Sequence, residues 1–467
     1  MNKSLTPIIA AIIYAFIAIF SGLVAVGMVD FAGHRYGMLL AVPALIVLGL
    51  IFIADRYVLF LLVLVVRASI DQILDTTKFA GIGLGGALNA LIILIGFLAY
   101  LQADKHIRKI LFSTWLPFLA AYIIAIVLSP ERVPSIKLYL SLISTAAVLM
   151  LGMHLVKTEK DFFKWLKIIL LSSVIPLLYG IVMLAVPSMH HYGSRINSTF
   201  NHPNIFAFYL VLIISIGFYA WKSESNYLGE TQKKLLPVFL IALCVMLVLT
   251  QTRSAWLGFA AFFTVYALIY ERRYLILVGI MPIIALMIPE VRDRLNDLSS
   301  GNEMVGYAKL NSYAWRKYLW ECAMNWMQPA KYIFGYGAES FKHYSIDFFP
   351  LAGPTGAASH NIYYQVFFEM GAVGLLAYIW LYLKTGFIIF KLSSSNKLLV
   401  FISLSLILEY LMFSYSDNMM YYLNYNWYFW FFIGAVIGWL SRIKFPSDSP
   451  DGGGADDTLN SRMVEKT

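Results

Sequence analysis

Charge is scarce in this chain. Of its 467 residues only 13% are Asp, Glu, Lys or Arg, while 60% are hydrophobic and the mean hydropathy is +0.73. Soluble domains carry about 25% charged residues, so the deficit excludes a soluble globular protein and points to lipid as the solvent. Cysteine is nearly absent too. Cys244 lies in an apolar run and Cys322 in a polar interval, a pair that supports neither a disulfide framework nor a thiolate metal site. No acidic cluster of metal-ligand spacing is present, so no metal or other cofactor is expected. A small-residue cleavage site is missing after the first apolar run, and Met1 to Val29 is therefore expected to stay as a first span. The net charge of +9 is spread in twos and threes between apolar runs. That distribution sets orientation in a bilayer and argues against nucleic acid as a partner.

What remains is a series of apolar runs near 8–28, 37–53, 57–66, 83–101, 109–128, 137–156, 166–187, 204–221, 235–250, 254–270, 273–289, 371–391, 397–415 and 426–443. A helix needs about 20 apolar residues to cross roughly 30 Å of hydrocarbon. Run 57–66 is short for that unless it extends toward Leu74, so 12–14 spans are expected. The fold class is an all-α polytopic membrane protein. Four segments follow: residues 1–289 as N-terminal transmembrane helices, 290–360 as a large, partly helical outer loop, 361–445 as C-terminal transmembrane helices, and 446–467 as a disordered cytoplasmic tail. With the N-terminus inside, the basic groups Lys105 to Lys109, Lys157 to Lys167, Lys233-Lys234 and Arg272-Arg273 fall on the cytoplasmic side, as the positive-inside rule requires.

That orientation places five separate polar words on the opposite face. Arg67 and Asp71 are spaced to pair across one helical turn. His191 to Asn204 is a Gly/Pro/Asn-rich loop, with Pro203 placed as a first-turn helix residue. Gln251-Thr252-Arg253-Ser254 joins two spans so tightly that Arg253 must sit at the boundary, where an arginine is tolerated if it snorkels to headgroups, lines a wet cavity or finds an anion. Ser359-His360-Asn361 leads into Glu369-Met370-Gly371 at the end of the long loop, and Asp417 lies in the last outer loop. The His360 imidazole either exchanges protons near neutral pH or anchors a helix end beside its aromatic neighbours. Tyr313 to Glu321 shows apolar spacing for an amphipathic helix at the membrane surface. Its aromatics, Trp315 among them, suit an interfacial belt or sugar stacking equally. Gly81 to Gly86 imitates a dinucleotide fingerprint, but it precedes a membrane span rather than completing a strand–helix crossover.

Arginines converging with an imidazole and a carboxylate suit an anionic, lipid-linked substrate, because guanidinium grips phosphate oxygens through paired donors. A neutral imidazole can take a proton from an attacking hydroxyl. Arg195 to Asn204 (Arg-x-x-Ser-Thr-Phe-x-His-Pro-Asn), Thr252-Arg253-Ser254-x-Trp256, Trp315-Arg316, Phe334-Gly335-x-Gly337 and Ser359-His360-Asn361 followed by Glu369-x-Gly371-x-x-Gly374 resemble, in this order, the O-antigen ligase and polymerase superfamily over about residues 60–440. The resemblance implies a GT-C-type bacterial inner-membrane glycosyltransferase with both termini cytoplasmic and a periplasmic site, working without metal on an undecaprenyl-diphosphate-linked oligosaccharide. It implies Arg195 and Arg253 on the diphosphate and His360 on the acceptor side, all three catalytic. Arg316, Arg67, Asn361, Glu369, Asp417 and Trp315 are implied as substrate-binding, and Glu369 or Asp417 stays open as the proton acceptor. Membrane lipid, an acceptor glycan and a chain-length regulator are the implied partners. The single Ser-His-Asn word resembles repeat-unit polymerases more than ligases that load lipid A core; a protein-glycosylating branch is a further alternative. A lipid-linked glycan flippase is the rival of another class, although flippases place ionisable residues nearer the bilayer midplane.

Overall fold

The computed structural model describes residues 36–76, 78–79, 82–189, 192–287, 289–296, 301–302 and 310–444. The expected first span at 8–28, His191 and the tail at 446–467 lie outside the described residues. Nineteen-residue α1 (Tyr36–Ala54) is separated from α2 (Arg56–Val66) by Asp55, whose carboxylate caps the second helix at Tyr57 N (2.8 Å) and Val58 N (3.2 Å). A short α3 (Asp71–Thr76) and a two-residue antiparallel pair, β1 (Lys78–Phe79) and β2 (Ile82–Gly83), precede α4 (Leu84–Gln102). Within the glycine-rich word at 81–86, Ile82–Gly83 form β2 and Leu84 opens α4, a helix apolar enough to cross the membrane, as the sequence context requires.

Long apolar helices follow: α5 (Lys105–Leu128), α6 (Arg132–Leu155), α7 (Glu159–Leu171) and α8 (Val174–Ala185), which breaks from α7 at Ser172-Ser173, then α9 (Pro203–Lys222), α10 (Glu230–Leu249), α11 (Arg253–Ile269) and α12 (Tyr274–Leu286). Between residues 289 and 360 lie α13 (Pro289–Asn296), α14 (Ser312–Trp326) and α15 (Ser340–Phe348). Three more helices complete the bundle: α16 (Ile362–Lys391), α17 (Lys397–Ser416) and α18 (Leu423–Lys444).

Among the described residues eight helices are long and apolar enough to cross a membrane, α7 and α8 counting as one. The expected span at 8–28 lies outside the described residues, so this count does not measure the 12–14 spans expected of the whole chain; four described helices fall short by length or composition. Helices α2 and α11 are apolar but have only 11 and 17 residues, and α12 has 13. Helix α18 is long enough but carries Asn424, Asn426 and many Tyr and Trp, and it is buried by protein rather than lipid.

The core is built around α9 and α18, whose side chains are buried on nearly every face. Lipid tails are as apolar as leucine, so helix association here rests on close packing rather than on escape from water. Glycine supplies that closeness. A Cβ on Gly434 would come within 2.3 Å of Leu149 O, one on Gly152 within 2.5 Å of Phe431 O, and one on Gly438 within 2.7 Å of Met153 O, so α6 and α18 touch through backbone. Buried phenols need partners in such a core. Tyr428 donates to Leu64 O (2.6 Å), Tyr410 donates to Asn426 Oδ1 (2.9 Å), and Tyr209 pairs with Ser172 Oγ (2.7 Å).

Glu409 departs from that rule. It stands within α17, 3% exposed, and neither carboxyl oxygen has a hydrogen-bond partner among the described residues. A lone buried acid destabilises its surroundings, so Glu409→Leu is expected to raise stability by about 1–3 kcal/mol, read as a higher melting temperature in detergent. A lower melting temperature would show that the carboxyl holds something the bare fold does not.

Contacts join the helix ends at two poles. At one, Lys222 reaches Glu271 (2.5 Å), Arg442 donates to Gly438 O (2.6 Å) and Met153 O (3.1 Å), and Asn396 donates to Tyr219 Oη (3.1 Å). This pole carries the basic clusters. The polar words gather at the other.

Candidate functional site

Helix starts place most of the functional side chains. Pro203 is the first residue of α9, as expected, and His202 caps the helix by accepting Asn204 N at its Nδ1 (3.1 Å). The turn holds Asn204 so that its amide faces two ways. Its Oδ1 accepts from Arg195 Nη2 at 2.7 Å, and its Nδ2 donates to Asp417 Oδ2 at 2.8 Å. Arg195 also donates from Nε to Thr250 O (2.9 Å) and from Nη2 to Thr252 Oγ1 (3.1 Å). Thr252 is the residue before Arg253, which opens α11 and donates to Ser312 Oγ at 3.0 Å. Ser312 opens α14 in turn, and one turn later Arg316 donates to Ser416 O at 2.6 Å. Ser416 ends α17 beside Asp417. Arg195 is therefore bridged to Asp417 through Asn204, Arg316 bonds the residue before Asp417, and Arg253 bonds the start of the helix that carries Arg316.

Asp417 is 2% exposed in its side chain. Burial pushes its carboxyl up, but His360, the Tyr422 phenol and Asn204 together outweigh burial and hold it well below the usual carboxylate range. Asn418 N adds a 3.0 Å bond to Oδ1. This carboxylate stays ionised and faces the His360 Nδ1 at 3.6 Å, ion-pair range rather than a hydrogen bond, while the imidazole side chain is 39% exposed. An anion beside one ring nitrogen orients the ring. His202 behaves differently. Burial first, then the neighbouring Arg195, His360 and Arg316 charges, lower it to about 4 against the opposing pull of Asp417, so it stays neutral at physiological pH.

The backbone is strained at this pole. Non-glycine residues with positive φ among the described residues are Ser198 (51°), Gln251 (52°), Glu339 (60°) and His360 (49°), and such residues concentrate where surrounding structure over-determines them. Gln251 is pinned through Nε2 to Ser194 Oγ (2.8 Å), and Ser198 through Oγ to Pro176 O (2.6 Å).

The remaining expected site residues fall into supporting positions. Arg67 and Asp71 pair at 2.9 Å, as their spacing requires, but both are buried; Asp71 also accepts from Asn424 Nδ2 (2.7 Å). Asn361 is fully buried and caps α16 at Tyr363 N (2.9 Å) and Tyr364 N (3.3 Å). Glu369 is 2% exposed and accepts from Phe341 N (3.3 Å) and Gln365 Nε2 (3.1 Å), tying α16 to the start of α15. Trp315 packs edge-on against Phe349 (5.1 Å) and His360 (6.5 Å). Gln365 was not singled out by sequence, yet it joins Ser359 Oγ (2.9 Å), Glu369 and the Tyr421 hydroxyl (2.6 Å), which donates to Glu339 Oε1 (2.6 Å).

The Phe334-Gly335-x-Gly337 and Glu369-x-Gly371 words meet directly. Gly371 breaks α16 with φ 62° and ψ −161°. Into the break dock Tyr336 N on Phe368 O (3.0 Å), Gly337 N on Glu369 O (2.8 Å) and Ala372 N on Tyr332 O (2.7 Å). The last long helix before α17 therefore begins at Ile362, nine residues earlier than the apolar run at 371–391 suggested.

No curated protein matches the chain. Residues 238–379 match the family model described as O-Antigen ligase, a stretch that contains Arg253, Arg316, the Phe334 to Gly337 turn, His360 and the Glu369 to Gly374 break. These words assemble at one pole of a multi-pass membrane bundle, and the matched stretch, under a third of the chain, is similar to the O-antigen ligase family.

Proposed function

We propose that this protein transfers a glycan from undecaprenyl diphosphate to an acceptor hydroxyl at the outer face of the bacterial inner membrane. One observation carries the reading: Asp417 connects Arg195, through Asn204, to His360. Diphosphate oxygens are drawn to Arg195 and Arg253, with Arg316 nearby, and these guanidiniums stabilise negative charge as the sugar–phosphate bond breaks. The acceptor oxygen forms a bond to the anomeric carbon. The bond from that carbon to the phosphate oxygen breaks, and its electron pair leaves with undecaprenyl diphosphate. His360, held by ionised Asp417, accepts the hydroxyl proton. Direct displacement of this kind inverts the anomeric centre.

The matched family description favours ligation, transfer of the finished glycan to lipid A core, over the chain extension suggested by the Ser359-His360-Asn361 word. Polymerisation remains the second reading, carried by that word. Surface and lipid-linked glycans of a strain lacking the gene separate the two. Long chains stranded on undecaprenyl diphosphate are the expected result; single repeat units on lipid A would establish polymerisation instead.

A further inference from the structure

Two tyrosines stand at the rim of the arginine cluster and take no part in the core. Tyr313 on α14 is 51% exposed and Tyr415 on α17 is 49% exposed. Tyr313, Arg316 and Trp320 share one face of α14 by their spacing, the face that meets α17 through Arg316 on Ser416 O and Trp320 on Tyr415. Each tyrosine is the chain neighbour of a residue that holds an arginine: Ser312 accepts from Arg253, and Ser416 accepts from Arg316. The pair is backed by a rigid aromatic stack. Trp320 lies edge-on to Tyr415 at 5.6 Å and parallel to Tyr364 at 5.0 Å and 13°, while its Nε1 donates to Ser359 O at 2.7 Å, one residue from His360.

We infer that Tyr313 and Tyr415 form an aromatic subsite for a pyranose ring of the lipid-linked donor, the ring nearest the diphosphate. Phenol rings give a rigid apolar face with a polar edge at low conformational cost, which matches a sugar's apolar C–H face and hydroxyl rim. Interfacial-belt tyrosines anchor a helix individually. Here two elements place the tyrosines next to residues that hold Arg253 and Arg316, and Trp320 ties Tyr415 to the histidine segment. A diphosphate held by Arg195 and Arg253, with Arg316 nearby, puts its attached sugar within reach of that subsite. The inference rests on the transferase reading proposed above.

The test uses the purified full-length enzyme with undecaprenyl-diphosphate-linked glycan as donor and glycan-free undecaprenyl diphosphate as competitive inhibitor. Tyr313→Ala and Tyr415→Ala are expected to raise KM for the donor about 3- to 10-fold, with kcat nearly unchanged and the inhibition constant of undecaprenyl diphosphate unaltered. Tyr313→Phe and Tyr415→Phe, which keep the rings, should recover most of that loss. An unchanged KM in both alanine variants would overturn the subsite and leave the rings as membrane anchors. An equal weakening of donor and glycan-free inhibitor would also overturn it, since the rings would then serve the lipid or diphosphate. Failure of the transferase reading shows elsewhere, as full activity in variants of Arg253 and His360.

Discussion

Glycan transfer is expected to disappear in His360→Ala and to fall at least about 100-fold in Arg253→Ala, with both variants present in the membrane at normal abundance. Neither side chain supports the core. His360 is partly exposed and Arg253 is half-buried at a helix start, bonded to Ser312. The His360 backbone has φ 49°, a region that asparagine tolerates better than alanine. His360→Asn therefore removes the imidazole at little backbone cost, and its equal inactivity would assign the loss to proton transfer rather than to folding. Arg253→Lys keeps the charge but loses the paired donors, so an activity between wild type and alanine is expected. Transfer measured from undecaprenyl-diphosphate donor in membrane vesicles is the assay. Full activity in both alanine variants would remove the transferase reading altogether.

The pole at which these residues meet was legible because helical periodicity and basic clusters assign each loop to a side of the membrane. Arg195, Arg253, Arg316, His360 and Asp417 all come from words at helix ends on the pole opposite the basic clusters, and their linkage follows once the helices pack. The Arg67–Asp71 pair was legible for a simpler reason, since four residues apart on one helix is a local distance. Roles that depend on a second helix were not. Asn204 is the hub between Arg195 and Asp417, yet nothing in the His-Pro-Asn word tells which neighbour its amide will face. Glu369 looked like a site carboxylate and is instead buried against the start of α15. Asn361 carried a readable signal, a polar residue directly before an apolar helix, and that signal is for an N-cap. Span number is hard to read where helices are short or rich in tyrosine and asparagine, because hydropathy cannot distinguish a helix buried in protein from one too polar for lipid.

The backbone break at Gly371 should be the most sensitive position away from the reacting groups. Its φ of 62° and ψ of −161° lie in a region that is essentially restricted to glycine. Space is closed as well: a Cβ there would meet the Ile333 carbonyl carbon and oxygen at 2.3 Å, and a Cβ on Gly335 would meet the Glu369 carbonyl carbon at 2.3 Å. Those neighbours are main chain and cannot rotate aside. Gly371→Ala is therefore expected to cost about 3 kcal/mol or more and to lift the Phe334 to Gly337 turn from α16. Losing the bonds from Gly337 N to Glu369 O and from Ala372 N to Tyr332 O frees Glu369 from Phe341, and through Gln365 and Ser359 the disturbance reaches the His360 backbone. Activity should fall although no substrate-contacting group has changed. Two controls separate strain from crowding. Gly193 has φ 66° but open space around a built Cβ, so alanine there meets strain alone and should cost only about 1 kcal/mol. Gly353 has neither constraint and should be nearly neutral. Melting temperatures in detergent should rank the three alanine variants in that order, and a Gly371→Ala protein as stable as wild type would mean that the turn and the break do not dock.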